Sequence, residues 1–241
     1  PVKKSAQVFS LIILVIAVSP MIAPTVGGYV TAAFGWHWVF IILAAIAVLI
    51  MFSVHFFLPV GKKGDTSISL KPKAVLANFY EVTKQPQFLI YTLAGGIAMA
   101  GPFAYIVGSS DVYMNIYGLT EQQYGWAFAL VAFGMIGSTQ FNHLLLRHFK
   151  SESLIKVALF YQTLVGSALV LGTMYGGYNI FGFTALVFMF VAGHGIMSPN
   201  VTALSMAPFT RHAGSASALL GSFRLGMGAV VSALVSLLHN G

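Results

Sequence analysis

Long uncharged stretches of apolar residues recur along the chain, separated by short polar connections. A stretch of about 20 residues can cross a hydrocarbon core of about 30 Å as a helix, and only helices satisfy their backbone over that length in lipid. The pattern therefore predicts an all-α membrane protein with seven transmembrane helices, at residues 7–31, 36–58, 88–107, 124–146, 154–174, 180–206 and 215–238.

The composition favours the same class. Of 241 residues, 58% are hydrophobic and 7% are charged, which is more apolar surface than a soluble domain of this size can bury. The sequence has no cysteine, which excludes a disulfide framework, a thiolate metal site and a cysteine nucleophile. We expect no cofactor and no metal.

Basic residues occur in every second connection. Lysine or arginine precedes the first span and lies between the second and third, fourth and fifth, and sixth and seventh, whereas the other three loops have neither. Because cytoplasmic loops are enriched in these residues, we expect the N-terminus of the chain to be cytoplasmic and its C-terminus external. This distribution makes the bilayer, and not a nucleic acid, the expected surroundings despite a net charge of +7.

The longest connection, residues 61–87, divides the spans into two and five. Apolar residues at helical spacing over 73–84 predict an amphipathic helix. Such a helix lies on the cytoplasmic membrane interface or is an ordinary solvated linker helix, and the sequence leaves both open.

The first span ends in a group of small residues around Pro24, Gly27 and Gly28. The proline removes a helix hydrogen bond, and the glycines allow another backbone to approach. These residues resemble the end of the antiporter signature in the fifth helix of drug:proton antiporters of the major facilitator superfamily. Small residues also stand at three positions where that signature has glycine: Ser10, Ser19 and Ala23.

Other segments resemble the same family in the same order. Residues 34–40 resemble the turn that opens its sixth helix, and residues 213–219 resemble the start of its eleventh. Asn142 and Arg147 sit where its second half carries a weakened loop motif. The chain is most similar to the Bcr/CflA group, which exports drugs such as bicyclomycin and chloramphenicol in exchange for protons.

The resemblance implies part of a twelve-helix major facilitator fold. Residues 1–60 would be the last two helices of the N-terminal half, residues 61–87 the central cytoplasmic loop, and residues 88–241 the first five helices of the C-terminal half. It also implies a secondary transporter, not an enzyme, in the bacterial inner membrane, which exports small hydrophobic drugs by alternating access. Its partners would be the drug, protons and the remaining helices of the same transporter.

Among the ionisable residues inside predicted spans, two stand out: His194 near the middle of the sixth and Arg224 about ten residues into the seventh. Ionisable groups at membrane depth mark functional sites. We expect every acid to lie in a loop, with Asp111 nearest to membrane depth. The counter-charge for Arg224 would come from other helices, from an anionic substrate or from Asp111. Alternatively, His194 is a neutral packing residue and Arg224 a fixed lock between the two halves.

Aromatic and amide side chains supply further candidates for a drug cavity, since aromatic rings bind flat apolar molecules by stacking and burial. The resemblance places the third, fourth and sixth spans around the central cavity. The candidates on them are Tyr91, Phe103, Tyr105, Phe128, Gln140, Asn142 and Asn200.

Two rival classes fit less well. A seven-helix receptor needs an external N-terminus, and the loop charges place it inside; a retinal protein needs a lysine in its last span, which has none. An intramembrane enzyme would use Ser198, one turn from His194, but no acid or second histidine is placed to orient that pair.

Overall fold

The computed structural model describes residues 22–58, 71–209 and 212–238, and every regular element within them is helical. The helices are α1 (Ile22–Phe34), α2 (His37–Phe57), α3 (Pro72–Thr83), α4 (Pro86–Ser110, continued by a π-helical segment, Asp111–Ile116), α5 (Glu121–Leu145), α6 (Ser151–Met174), α7 (Ile180–Met206) and α8 (Ala213–Leu238). The predicted all-α class is confirmed. Five of these helices, namely α2, extended α4, α6, α7 and α8, are long and apolar enough to cross a membrane.

Local signals set the ends of several helices. Pro72 and Pro86 stand in the first turns of α3 and α4, where the missing N–H costs no hydrogen bond. At the start of α5 the Gln123 N–H donates to Thr120 Oγ1 (3.3 Å) and the Thr120 N–H donates to Gln123 Oε1 (3.0 Å), which forms a capping box. Asn179 caps α7 by accepting a backbone N–H bond of 2.8 Å.

The four acidic residues of the described part lie on helices, so the prediction that every acid lies in a loop is wrong for them. The fifth acid, Asp65, lies outside the described residues. The predicted third span stops short of the π-helical segment, whereas the observed helix runs through it and includes Asp111. Glu81 lies within α3, and Glu121 and Glu152 occupy the first turns of α5 and α6. A carboxylate is favourable in a first turn because it faces the positive end of the helix dipole.

α7 is the central helix of the described part. It packs against α4, α5 and α6, while α8 packs mainly against α4. In contrast, α2 buries none of its residues. In a bilayer the apolar surface of α2 is covered by lipid or by other helices.

α3 docks on the bundle through one face. Val82 is fully buried, in a cluster with Phe88, Ala216 and Leu220 of α4 and α8. Leu76, on another face of α3, is 65% exposed. The predicted amphipathic helix is confirmed, and its buried contact is with protein, an environment that neither sequence-based interpretation included.

A charge at Val82 should release α3 from the bundle. A carboxylate buried there without a partner costs several kcal/mol, whereas Leu76→Asp alters an exposed position. In purified full-length protein we expect trypsin to cleave at Lys73 about tenfold faster in Val82→Asp than in Leu76→Asp, because cleavage follows local opening. Equal rates in the two variants would contradict the docking.

Candidate functional site

Three consecutive residues in the middle of α7 face three neighbouring helices. A Cβ on Gly193 would lie 2.8 Å from Gln162 Cγ of α6, and one on Gly195 would overlap Ser138 of α5. Between them, His194 is 5% exposed and lies beside the Ala98 carbonyl of α4. The two glycines therefore bring α7 close to its neighbours and fix the depth and direction of the imidazole.

Arg224 reaches α7 from α8. Its Nη2 donates to Thr202 Oγ1 at 2.9 Å and to the Ser198 carbonyl at 3.4 Å. On the other side, a Cβ on Gly95 of α4 would lie 3.4 Å from Nη2 and 3.6 Å from Nε. The half-buried guanidinium thus lies between α4 and α7, at van der Waals distance from the Cβ position of residue 95.

His194 and Arg224 form one polar site. Ser198 lies one turn beyond His194 on α7, and the charge of Arg224 reaches the imidazole. The Nδ1 of His194 is buried without a hydrogen-bond partner. Within the described ranges no carboxylate pairs with Arg224, since the salt bridge found there joins Lys84 to Glu81. The site is therefore cationic.

The site continues along α7 as a polar stripe, which we define as His194, Ser198, Thr202 and Ser205. Their spacing places them on one helical face. Ser205 Oγ is buried without a partner, as is Thr92 Oγ1 on α4. Sequence reasoning missed Thr202 and Ser205, although polar residues four and three positions apart in an apolar helix are the signal that finds such a stripe.

Asn142 and Asn200 pair inside the interface between α5 and α7. Asn200 Nδ2 donates to Asn142 Oδ1 at 2.7 Å and to the Ile196 carbonyl at 2.8 Å. The two residues are 2% and 1% exposed. Both were candidates for a drug cavity, and the structure places them in a helix-to-helix contact.

The aromatic candidates do not gather around one cavity in the part of the chain that is described. Tyr105 stacks on Phe128, with ring centroids 5.3 Å apart, and lines an apolar cleft of about 380 Å³ between α4, α6 and α7. Phe103 lies against Gly228 of α8. Tyr91 packs beside the interface of α6 and α7. The amide candidate Gln140 is exposed on α5.

Asp111 lies far from this site along α4. It accepts a hydrogen bond of 2.6 Å from Asn115 Nδ2 and lines a second cleft, of about 560 Å³, between the C-terminal ends of α4 and α8. The described structure therefore does not place it as the counter-charge of Arg224. No group of three or more histidine, aspartate or glutamate side chains that could hold a metal occurs in residues 22–58, 71–209 and 212–238.

A tyrosine cluster near Asp111 was not predicted. Tyr113 is fully buried, and its hydroxyl is 3.0 Å from Thr184 Oγ1 of α7. Tyr117 donates to the Tyr178 carbonyl at 2.8 Å, and burial raises the pKa of Tyr117. These bonds join the C-terminal end of extended α4 to α7 and to the turn that precedes α7.

Of the signature-like residues, Gly28 is in the closest contact. A Cβ there would lie 2.7 Å from the Glu121 carbonyl oxygen of α5, and one on Gly125 would lie 3.2 Å from the Pro24 carbonyl oxygen of α1. Gly27 has no atom within 4 Å of its Cβ position, and Ala23 is exposed. Ser10 and Ser19 lie outside the described residues.

Comparison with known proteins identifies the family. The sequence profile of the Major Facilitator Superfamily matches residues 1–233. The chain belongs to the major facilitator superfamily. This confirms the resemblance inferred from the order of the motifs.

Several curated members of this superfamily are similar to the chain. It is 30% identical over 234 residues to a bicyclomycin resistance protein homologue of Haemophilus influenzae. The matched residues make up 96% of the chain and 58% of that protein. It is 28% identical over 225 residues to the multidrug resistance protein MdtL of Shewanella oneidensis (91% and 54%). It is 27% identical over 183 residues to the purine ribonucleoside efflux pump NepI of Escherichia coli (75% and 43%). The chain thus spans less than two thirds of the length of these relatives.

The two adjacent glycines of α1 should respond differently to one added methyl group. Gly28→Ala forces the backbones of α1 and α5 apart and should cost about 1–3 kcal/mol, as overpacking does, whereas Gly27→Ala enters open space. We expect the melting temperature of the full-length superfamily member to fall in Gly28→Ala and to stay constant in Gly27→Ala. An equal fall in the melting temperatures of the two variants would contradict the claim that Gly28 is needed for the close crossing of α1 and α5.

Proposed function

We propose that this chain is part of a longer secondary transporter that exports small hydrophobic drugs in exchange for protons. The observation that carries the proposal is the contact of Gly28 on α1 with the backbone of α5. It places the glycine of an antiporter-like signature at a close helix crossing, and several similar proteins are named for drug resistance or efflux.

In the proposed arrangement the chain contributes seven of twelve transmembrane helices. Residues 1–60 belong to the N-terminal half, residues 61–87 form the central cytoplasmic loop, and residues 88–241 belong to the C-terminal half. The crossing of α1 and α5 then joins the two halves. A crossing made by bare backbone allows the halves to tilt without side chains that interlock, as alternating access requires.

The charge pattern supports the orientation that we propose. The basic loops face the cytoplasm of a bacterial inner membrane, the N-terminus of the chain is cytoplasmic and its C-terminus is external. The polar stripe of α7 then runs from mid-membrane towards the cytoplasmic side. It gives substrate or protons a line of hydrogen-bonding groups in an otherwise apolar helix.

The proton carrier is proposed to be a carboxylate in the N-terminal half. Within the described ranges the His194 and Arg224 site holds no acid, so these residues act on the coupling by electrostatics. Arg224 would favour the ionised form of a carboxylate that approaches it and so promote proton release. The relatives are named for bicyclomycin resistance or for purine ribonucleoside efflux, which supports a small organic molecule as cargo.

Everted membrane vesicles of a pump-deficient bacterium that produces the full-length protein test this function. We expect respiring vesicles to accumulate chloramphenicol or bicyclomycin, and nigericin, which collapses the pH gradient, to abolish the accumulation. Vesicles without the protein are the control. Accumulation that persists after nigericin would contradict proton exchange, and no accumulation of either drug would contradict this drug specificity.

A further inference from the structure

Arg224 has more donors than the described residues satisfy. A guanidinium carries five N–H donors, and both of its hydrogen bonds come from Nη2. Nε and Nη1 make none, and no atom of Arg224 is among the buried polar atoms without a partner. The three N–H donors of Nε and Nη1 are therefore unbonded within the described residues and open to an incoming group.

The surrounding residues hold the Arg224 guanidinium in place. Thr202 Oγ1 accepts from Nη2 at 2.9 Å, and Gly95 of α4 lies beside Nη2 and Nε. A cation kept in apolar surroundings without an acid is costly unless an anion meets it during the working cycle. The contacts thus orient a charge that the described chain does not neutralise.

A second unsatisfied group lies on α7, one helical turn before Ser198. His194 is more than nine-tenths buried, and its Nδ1 has no partner. In the neutral tautomer that carries the proton on Nδ1, this nitrogen donates one hydrogen bond to an anion. Together, the free donors of Arg224 and this nitrogen offer a fixed charge and one further hydrogen bond.

We propose that Arg224, positioned by Thr202 and assisted by His194, binds the carboxylate of a transported substrate, so that the transporter prefers amphipathic organic acids to their neutral analogues. The free N–H donors of a guanidinium bind a carboxylate through charge-assisted hydrogen bonds, which are roughly twice as strong as those between neutral groups. The proposal rests on the transport function proposed above and adds the chemical class of the substrate.

The test compares two probes of the same shape, 2-naphthoate and 2-naphthamide, which differ in charge. Their affinities for purified full-length transporter in detergent are measured by isothermal titration calorimetry. We expect 2-naphthoate to bind at least about tenfold more tightly, the size of one charge-assisted bond. Equal affinities would overturn the proposal without recourse to any variant, and would point to a carboxylate of the protein itself on Arg224.

Variants assign the preference to the site. Arg224→Gln should remove it by weakening 2-naphthoate alone, Arg224→Lys should keep part of it, and Thr202→Val should reduce it about threefold through loss of the positioning bond. Lys156→Gln removes an exposed positive charge of α6 and is the matched control. The proposal would also be overturned if Arg224→Gln kept the preference for 2-naphthoate while eluting from a size-exclusion column at the wild-type volume.

The binding experiment and the vesicle experiment test the acid site and the exporter function separately. Proton-driven export of chloramphenicol without a preference for 2-naphthoate would refute the acid site and leave the exporter. A preference that disappears in Arg224→Gln, in a protein without proton-driven export, would support the acid site and refute the proposed exporter.

Discussion

Inside a bilayer, apolar side chains gain little by leaving lipid for protein, so helices associate where their backbones come close. This constraint explains the crossings of the described chain. Phe188 of α7 lies against Gly134 of α5, Phe223 of α8 against Gly96 of α4, and Phe103 of α4 against Gly228 of α8. Gly193 and Gly195 allow α6 and α5 to approach the centre of α7 closely, and the position of His194 depends on these two contacts.

Close packing on two sides of α7 leaves a third face for polar chemistry. The amide pair of Asn142 and Asn200 strengthens one packed side with a buried hydrogen bond. The polar stripe on the third face meets Arg224, where a hydroxyl and a carbonyl accept from the cation but no described carboxylate neutralises it. The same helix therefore serves as the structural centre and as one wall of the proposed binding site.

Much of this architecture follows from hydrophobic length. The bounds predicted for the sixth span, residues 180–206, are those of α7, because Asn179 and the turn glycines before it mark its start. The π-helical end of α4 was missed because a change from α to π hydrogen bonding leaves no periodic signal in so short a segment. Sequence also cannot give the register between helices, so it could not show that Asn142 meets Asn200, or that Gly28 and not Gly27 faces α5.

The most direct test of the account is one added methyl group at the centre of α7. Gly195→Ala places a Cβ against Ser138 and the Met135 carbonyl of α5, whereas Gly226→Ala on α8 meets no described atom within 4 Å. Thermal unfolding of the full-length protein should show a melting temperature several degrees lower for Gly195→Ala, in keeping with overpacking of about 1–3 kcal/mol. Gly226→Ala should melt like the wild type or slightly higher, since alanine favours a helix. An unchanged melting temperature for Gly195→Ala would contradict the claim that close glycine crossings hold α7 and position His194.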